Sequence, residues 1–568
     1  MKRKTLTTAI VAGLTGVAGM VSVANAVNVN PDGLGQALIY PYYTARGGND
    51  TLISVVNTSS QAKAAKVRFL EGLNSREVLD FNLYLSAFDV WTAAITADGD
   101  GAKMVTADSS CTVPYIFGRG GGGPNTFGEQ KFLNFEFTGD NEDGGTTDDE
   151  RVASGYFEVI DMGNVYGDTP IGGGLFEDAQ VDGISPWGTE FALTHVPVFD
   201  ADGNPVLDTD GNQIRRPRNC QQLVDAWSNL SVGANPPQFY WSNSSGATDV
   251  NPSTGGDLFG SASIINVNEG TMFAYNATAI DNWTTSGLLH DRPGTVSPNL
   301  QSGGEKVSNV FQSAGGAGVT STFWDNTIEA VNAVLMNNRI LNEYNIEGPL
   351  GAQTEWVLTY PTKRFHVDVA GGFGGTDDSD PDNPVPVALP PFSKVFDGTS
   401  CEPHGFTFWD REERTITPDQ AIIEPIVSPE PPPEEEIITV FETCFEANVV
   451  RFAKAGTDVP DNSEILGEPR FTTFPLPKEF QSGWMRLGFD LELLAAQLNS
   501  TVAEVKDEFD LRDDAREQTA EDGTTFFGLP VVGFGVTTFT NSALEVDGQT
   551  VLSNYGSTFD HRGTRRIE

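Results

Sequence analysis

The stretch EVLDFNLYLSAFDVWTAAI (77–95) constrains the fold of this chain more than any other, because Leu79, Phe81, Leu83 and Leu85 recur at every second position. Alternate side chains of a strand point to opposite faces, so this spacing buries one face and cannot build a helical stripe. Its neighbours repeat the pattern. In AAKVRFLEG (64–72) Val67 and Phe69 share one face and Lys66 and Arg68 the other. In TLISVVNTS (51–59) Leu52, Ser54 and Val56 oppose Ile53 and Val55. Turn-rich RGGND, NTSS and GLNS lie between these runs. Short strands at a spacing of about 8–12 residues with such turns point to a β-sandwich. Further strands are expected at FLNFEFTG, ASGYFEVIDM, GSASIINVNEGTMFAYNA, EPHGFTFWD, ANVVRFA and GLPVVGFGVTTFTN. The expected class is all-β, a mainly antiparallel, immunoglobulin-like β-sandwich with two or three helices and long acidic loops.

Helices are expected at 325–344, where Ile328, Val331, Val334, Leu335 and Leu341 form an apolar face, at 490–509, and briefly at CQQLVDAW. The first 26 residues read as a secretory signal peptide: basic MKRK, a small-residue apolar core, and Ala24-Asn25-Ala26 before the cleavage point. The remainder divides into an N-terminal lobe (27–290) with a hairpin insertion near 194–216, and a C-terminal lobe (291–568) with a Pro/Glu-rich insertion at 422–440. No later stretch reads as an apolar membrane span. Removing the leader takes away three basic residues and moves the formal charge from -44 to about -47. Such a chain repels nucleic acid and anionic membrane surfaces.

All four cysteines, Cys111, Cys220, Cys401 and Cys444, follow the leader, and an even count in an oxidising compartment predicts two disulfides. Three pairings are open. Cys111–Cys220 with Cys401–Cys444 is preferred, since the second pair would brace a hairpin around the proline run. DADGNPVLDTDGN repeats D-x-D-G-N, making Asp200, Asp202, Asn204, Asp208, Asp210 and Asn212 weak calcium candidates. Pro205 and Gln213 stand where a calcium loop needs glycine, so two Asp-Gly hairpin turns account better for the repeat. No other cofactor is indicated. Gly118, Gly120 and Gly123 fit G-x-G-x-x-G in letter only, because no helix pattern follows. No G-x-S-x-G, H-E-x-x-H or phosphate-binding loop occurs, and His195, His290, His366, His404 and His561 are scattered. No catalytic residue is assigned. The nine tryptophans are expected mostly in the core.

Several blocks, among them LIYPYYTARGGNDTLISVVNTS, SGYFEVIDMG, ASIINVNEGTMFAYNA and TEWVLTYPTKRFHVD, resemble those of exported bacterial proteins described only as hypothetical or cell-surface proteins. That resemblance implies export and a β-rich surface role and carries no site residues. In TEWVLTYPTKRFHVD (354–368) an edge strand is expected to bulge at Pro361–Thr362, placing Arg364, His366 and Asp368 on one face opposite Phe365 and Val367. His366 and Asp368 form a weak candidate for a base and its orienter. The expected function is non-enzymatic: a secreted or cell-surface structural, adhesive or assembly protein, with cell-surface proteins or glycans as partners. The alternatives are a carbohydrate-binding or carbohydrate-degrading exoprotein, and a periplasmic partner of an outer-membrane export or electron-transfer complex.

Overall fold

The period-two runs become strands of two packed sheets. The structure is a computed structural model that describes residues 26–117, 128–166, 192–208, 210–228, 241, 250–253, 255–284, 289–312, 318–377, 385–415, 440–541, 543–546 and 549–568. Residues 1–25, the glycine run at 118–123, Trp187 and the proline segment up to 439 lie outside the described residues. In chain-spatial order, an eight-stranded sheet holds Asn28–Val29, Thr278–Asp281, Ala37–Thr44, Ser154–Val165, Ala62–Glu71, Glu77–Leu85 and Cys111–Val113, with Val250–Asn251 beside Ser154–Val165. A six-stranded sheet holds Thr271–Asn276, Leu258–Asn266, Asn49–Asn57, Val90–Asp98, Gly101–Thr106 and Gly128–Lys131. Leu38, Tyr40, Val67, Phe69, Phe81 and Leu83 of the first meet Ile53, Val55, Trp91, Ile95 and Ile264 of the second in one core.

The C-terminal half repeats this arrangement with two five-stranded sheets. One runs Phe441–Thr443, Glu402–Asp410, Ser482–Gly488, Arg339–Asn345, Arg562–Thr564. The other runs Phe471–Leu476, Ala447–Lys454, Ala352–Thr359, Val532–Phe539, Tyr555–Asp560. Ile340, Tyr344, Trp356, Leu358, Phe452, Phe474, Met485 and Leu487 fill the space between them. The all-β, mainly antiparallel expectation holds; the immunoglobulin-like connectivity is not established by these strand orders. Both disulfides form as preferred. Cys111–Cys220 ties a strand to the helix Cys220–Ser228 across 109 residues, and Cys401–Cys444 fastens Glu402–Asp410 to Phe441–Thr443. The expected insertion near 194–216 is a hairpin of His195–Pro197 on Arg215–Pro217.

Four local expectations are corrected. The helix at 325–344 stops at Leu335; Arg339–Asn345 is a strand whose buried Ile340, Asn342 and Tyr344 follow period two and pair with Ser482–Gly488. Arg565 donates to the carbonyls of Ala333 and Val334 and so caps that shorter helix. The helix at 490–509 is two, Glu492–Gln497 and Val502–Glu508, divided by Asn499 at φ +51° and restarted by a Thr501–Glu504 capping box. FLNFEFTG holds a single helical turn, Phe135–Phe137, instead of a strand. TEWVLTYPTKRFHVD is neither an edge strand nor bulged. Ala352–Thr359 pairs on both sides, the chain leaves the ladder at Pro361, which has no N–H to give, and Arg364–Val367 is a helical turn.

The acidic loop 138–151 is tied down by its own charges. Asp143 and Arg151 are both buried, and Arg151 bridges Asp143 (2.6 Å) to Glu71 (2.8 Å). Removing one member of a buried ion cluster leaves its partners desolvated and unpaired. Arg151→Ala should therefore lower unfolding stability by about 3–5 kcal/mol, measured by chemical denaturation. A loss under about 1 kcal/mol, the level of a surface pair, would refute the anchoring role.

Candidate functional site

On the strands Ala62–Glu71, Glu77–Leu85 and Ser154–Val165, one set of alternating side chains enters the sandwich core. The other set is charged. Arg68 lies directly across from Glu158 on one neighbour and Asp80 on the other. That outer face is not left to water: Leu300, Val310 and Trp324 of the C-terminal half pack with Leu70, Tyr156 and Ile160, and the helix Cys220–Ser228 packs with Ala64 and Tyr84. Between the two halves stands a cavity of about 250 Å3 with Arg68, Arg76 and Arg364 in its wall, together with Glu136, Asn141, Tyr156, Glu158, Asn299, Phe365 and Phe373.

Each arginine is held by backbone geometry and a carboxylate. Arg68 Nε donates to Glu77 Oε2 (2.8 Å) and Nη1 to Glu158 Oε2 (3.1 Å). Arg76 ends a turn that Glu71 organises, since the Glu71 carboxylate accepts the backbone N–H groups of Leu73, Asn74 and Arg76. Arg76 Nη2 then donates to Asp368 Oδ1 (2.7 Å). Arg364 reaches Asp368 Oδ2 with Nε (3.0 Å) and the Ser75 carbonyl with Nη1 (2.8 Å). Asp368 thus joins an arginine of each half. Ser75 adopts φ +53°, a conformation uncommon outside glycine. Tyr156 donates to Ser75 Oγ (2.8 Å), and its hydroxyl also lies 3.2 Å from the Pro361 carbonyl. The Arg364 guanidinium sits 5.3 Å from the Phe373 ring centre, and Phe373 meets Phe365 edge-on.

The unpaired groups define what the cavity offers. Arg68 Nη2, Arg76 Nη1 and Arg364 Nη2 make no hydrogen bond with the described residues. A guanidinium presents five donors in a rigid fork and is the side chain best shaped for carboxylate or phosphate. The wall contains no histidine, so no nucleophile is paired there with a histidine base. A larger cavity between the halves, about 390 Å3, is lined by Pro41, Tyr275, Ile340, His561 and Arg565 among others. Its histidine and its arginine are already committed: His561 bonds Asn342 and the Val357 carbonyl, and Arg565 bonds two helix carbonyls.

The residues singled out in the sequence are dispersed. Asp368 faces the arginines, whereas His366 Nε2 meets Asn332 (2.9 Å) within the core, so the two form no base–orienter pair. Burial pushes the His366 imidazole down to about 4, His290 to about 3 and His561 to about 4, and holds His404 well below its usual range. The D-x-D-G-N repeats form two separate turns. Asp200 Oδ1 accepts from the N–H groups of Asp202 and Asn204, Asp208 Oδ1 from those of Asp210 and Asn212, and Gly203 and Gly211 take φ +82° and +86°. Among the described residues, only Cys401, Glu442 and Cys444 bring three potential metal ligands together, and two of these are joined as a disulfide. Trp91, Trp227, Trp241, Trp283, Trp324 and Trp356 are core; Trp409 and Trp484 are half-buried and stack on each other at 4.1 Å. The sequence placed Lys66 and Arg68 on the face opposite Val67 and Phe69 without indicating that this face is covered. The signal was there: AAKVRF, SREVLD and YFEVID put ionisable residues on the same face of three strands.

The chain matches no protein-family model, no curated protein and no solved structure.

Burial raises the Glu158 carboxyl from 4.5 to about 7, against the pull of Arg68. A carboxyl raised on folding contributes stability that is full below its unfolded pKa and lost as pH rises through the folded value. Glu158→Gln removes that titration. Relative to the wild type, the variant should gain stability as pH rises from 4.5 to 7, by up to about 3 kcal/mol. A stability difference that stays flat across this window, in denaturant titrations at each pH, would contradict the assignment.

Proposed function

We propose that this chain is an exported, non-enzymatic binding protein of the cell exterior, and that the cavity between its halves holds a small anion. The observation that carries the reading is the set of three arginines in the wall of one cavity, each fixed by a carboxylate and each with an Nη that makes no hydrogen bond with the described residues. Export is supported by the leader-like opening residues, by two disulfides, and by the lack, among the described residues, of any helix long and apolar enough to cross a membrane. Inorganic phosphate serves as the general probe. Isothermal titration should show saturable binding that weakens with salt. Arg364→Lys, which keeps the charge and removes the fork, should weaken it by about tenfold. Unchanged affinity in that variant, or no saturable heat from phosphate or from any carboxylate anion titrated, would refute the reading.

An assembly role draws on a different observation. The outer face of the six-stranded sheet carries Phe259, Val56 and Val90 in one row, Ser261, Ser54 and Thr92 in the next, and Ala274, Ser263, Leu52, Ala94 and Val105 in a third. The one charge in these rows is Glu129, beside Val105 on the edge strand and paired with Lys103 at 3.0 Å; on a chain of formal charge -44 a second copy therefore meets little repulsion there. Sedimentation should then show self-association that Leu52→Lys abolishes; a monomer at all concentrations would remove this reading.

A further inference from the structure

We infer that the cavity between the halves recognises an acidic monosaccharide of the hexuronate type, with its carboxylate on the arginines and its hydroxyls on the acids across from them. This rests on the reading that the cavity binds an anion, and it names the chemical class. The argument begins with the groups that the protein leaves free. On the donor side stand the three unpaired Nη groups of Arg68, Arg76 and Arg364. On the acceptor side stand the Glu136 carboxylate, Asn141 Oδ1 and Glu158 Oε1, none of which takes a hydrogen bond from the described residues; Asn141 uses only its amide N–H, on the Phe135 carbonyl, and Glu158 only Oε2, on Arg68. Sulfate or a simple polycarboxylate brings acceptors alone, and phosphate adds to its charged oxygens only the P–OH that it keeps near neutral pH. Each would satisfy the arginines and set like charge against Glu136. A neutral sugar satisfies the acids and leaves three guanidinium forks without an anion. A sugar acid brings both: one carboxylate for bidentate arginine contact, and several hydroxyls that donate to carboxylate and amide oxygens.

Size and wall chemistry agree with this class. At about 250 Å3 the cavity is smaller than the range of roughly 300–1,000 Å3 that takes drug-sized ligands. Phe365 and Phe373 give it an apolar side against which the C–H face of a pyranose ring can lie. The fixed first layer matters as well. Asp368 and Glu77 hold the arginines in place before any ligand arrives, so little side-chain entropy is lost on binding.

The test is calorimetric titration of the mature chain with D-glucuronate, D-galacturonate, D-glucose and inorganic phosphate. The expected result is saturable binding of at least one uronate at millimolar concentration or below, with glucose weaker by about tenfold or more. Glu136→Gln is the discriminating variant. Its side chain is only half-buried and makes no hydrogen bond with the described residues, so the fold is not at risk, and circular dichroism and the Tm are the checks on this. It should weaken the uronate by about tenfold and leave phosphate binding unchanged or stronger. A uronate trisaccharide that binds as well as the monomer marks a polysaccharide chain end as the natural source, and binding of the monomer alone marks a free sugar; both support the class. Phosphate binding without uronate binding overturns this inference and leaves the anion site standing. Glucose binding as well as a uronate overturns it too, since the carboxylate would then contribute nothing. Binding of neither phosphate nor uronate overturns both.

Discussion

Asp368 is the group on which the two halves of the molecule depend. One carboxylate oxygen takes Arg76 from the N-terminal half, the other takes Arg364 from the C-terminal half, and the backbone N–H of Gly371 completes its set. Behind it runs a continuous series of buried charges: Arg151 on Glu71 and Asp143, Arg68 on Glu77 and Glu158, Lys66 on Asp80, Lys63 on Asp161. Buried ion pairs add little net stability, because desolvation consumes most of the Coulomb attraction. Their effect is directional. Displacing one half against the other would leave charges in a dry interior without partners, and that penalty excludes neighbouring registers more strongly than apolar contact does.

The remaining contacts between the halves follow the same logic. Glu468 accepts from Tyr42 and Ser154 of the N-terminal half, and Thr359 donates to the Pro41 carbonyl. Apolar packing is superimposed, with Tyr275 stacked on Phe534 at 4.6 Å and Val357, Val449 and Val536 entering the N-terminal core. The buried basic residues are Arg46, Lys63, Lys66, Arg68, Arg76, Arg151, Lys363, Arg364, Arg451 and Arg516. The buried acids are Glu71, Asp143, Glu158, Asp161, Glu355, Asp368, Glu402, Asp410, Glu446, Glu468 and Asp490. These two sets nearly cancel, so among the described residues the large negative charge of the chain resides at the surface. Exposed sheet edges on such a surface repel one another, which opposes edge-to-edge aggregation of a strand-rich protein.

Much of the fold was legible because strands report themselves locally. Val67 and Phe69, Leu79 to Leu85, and the NTSS and GLNS turns place strand and turn without knowledge of anything distant. Asp-Gly at 202–203 and 210–211 did the same for the hairpin turns. Where the reading failed, a distant partner decided. The stretch after Leu335 is helical by pattern, yet Ser482–Gly488 offers it a strand ladder and buries Tyr344. After Pro361 the alternation of Phe365 and Val367 imitates a strand, yet the missing N–H releases the chain into a helical turn. The site was hidden for a related reason: a lysine or arginine at every second position reads as a wetted face unless something is known to cover it.

The sequence by itself determined the class of fold, the faces that enter each sandwich core, the turns, and the supply of four cysteines for two disulfides, since each follows from spacing or composition over a few residues. Tertiary structure alone decided that the charged face of the eight-stranded sheet is buried. It also brought Arg364, nearly 300 positions along the chain, beside Arg68 and Arg76. A cavity between two halves arises from how two finished surfaces meet, and local periodicity carries no record of that meeting.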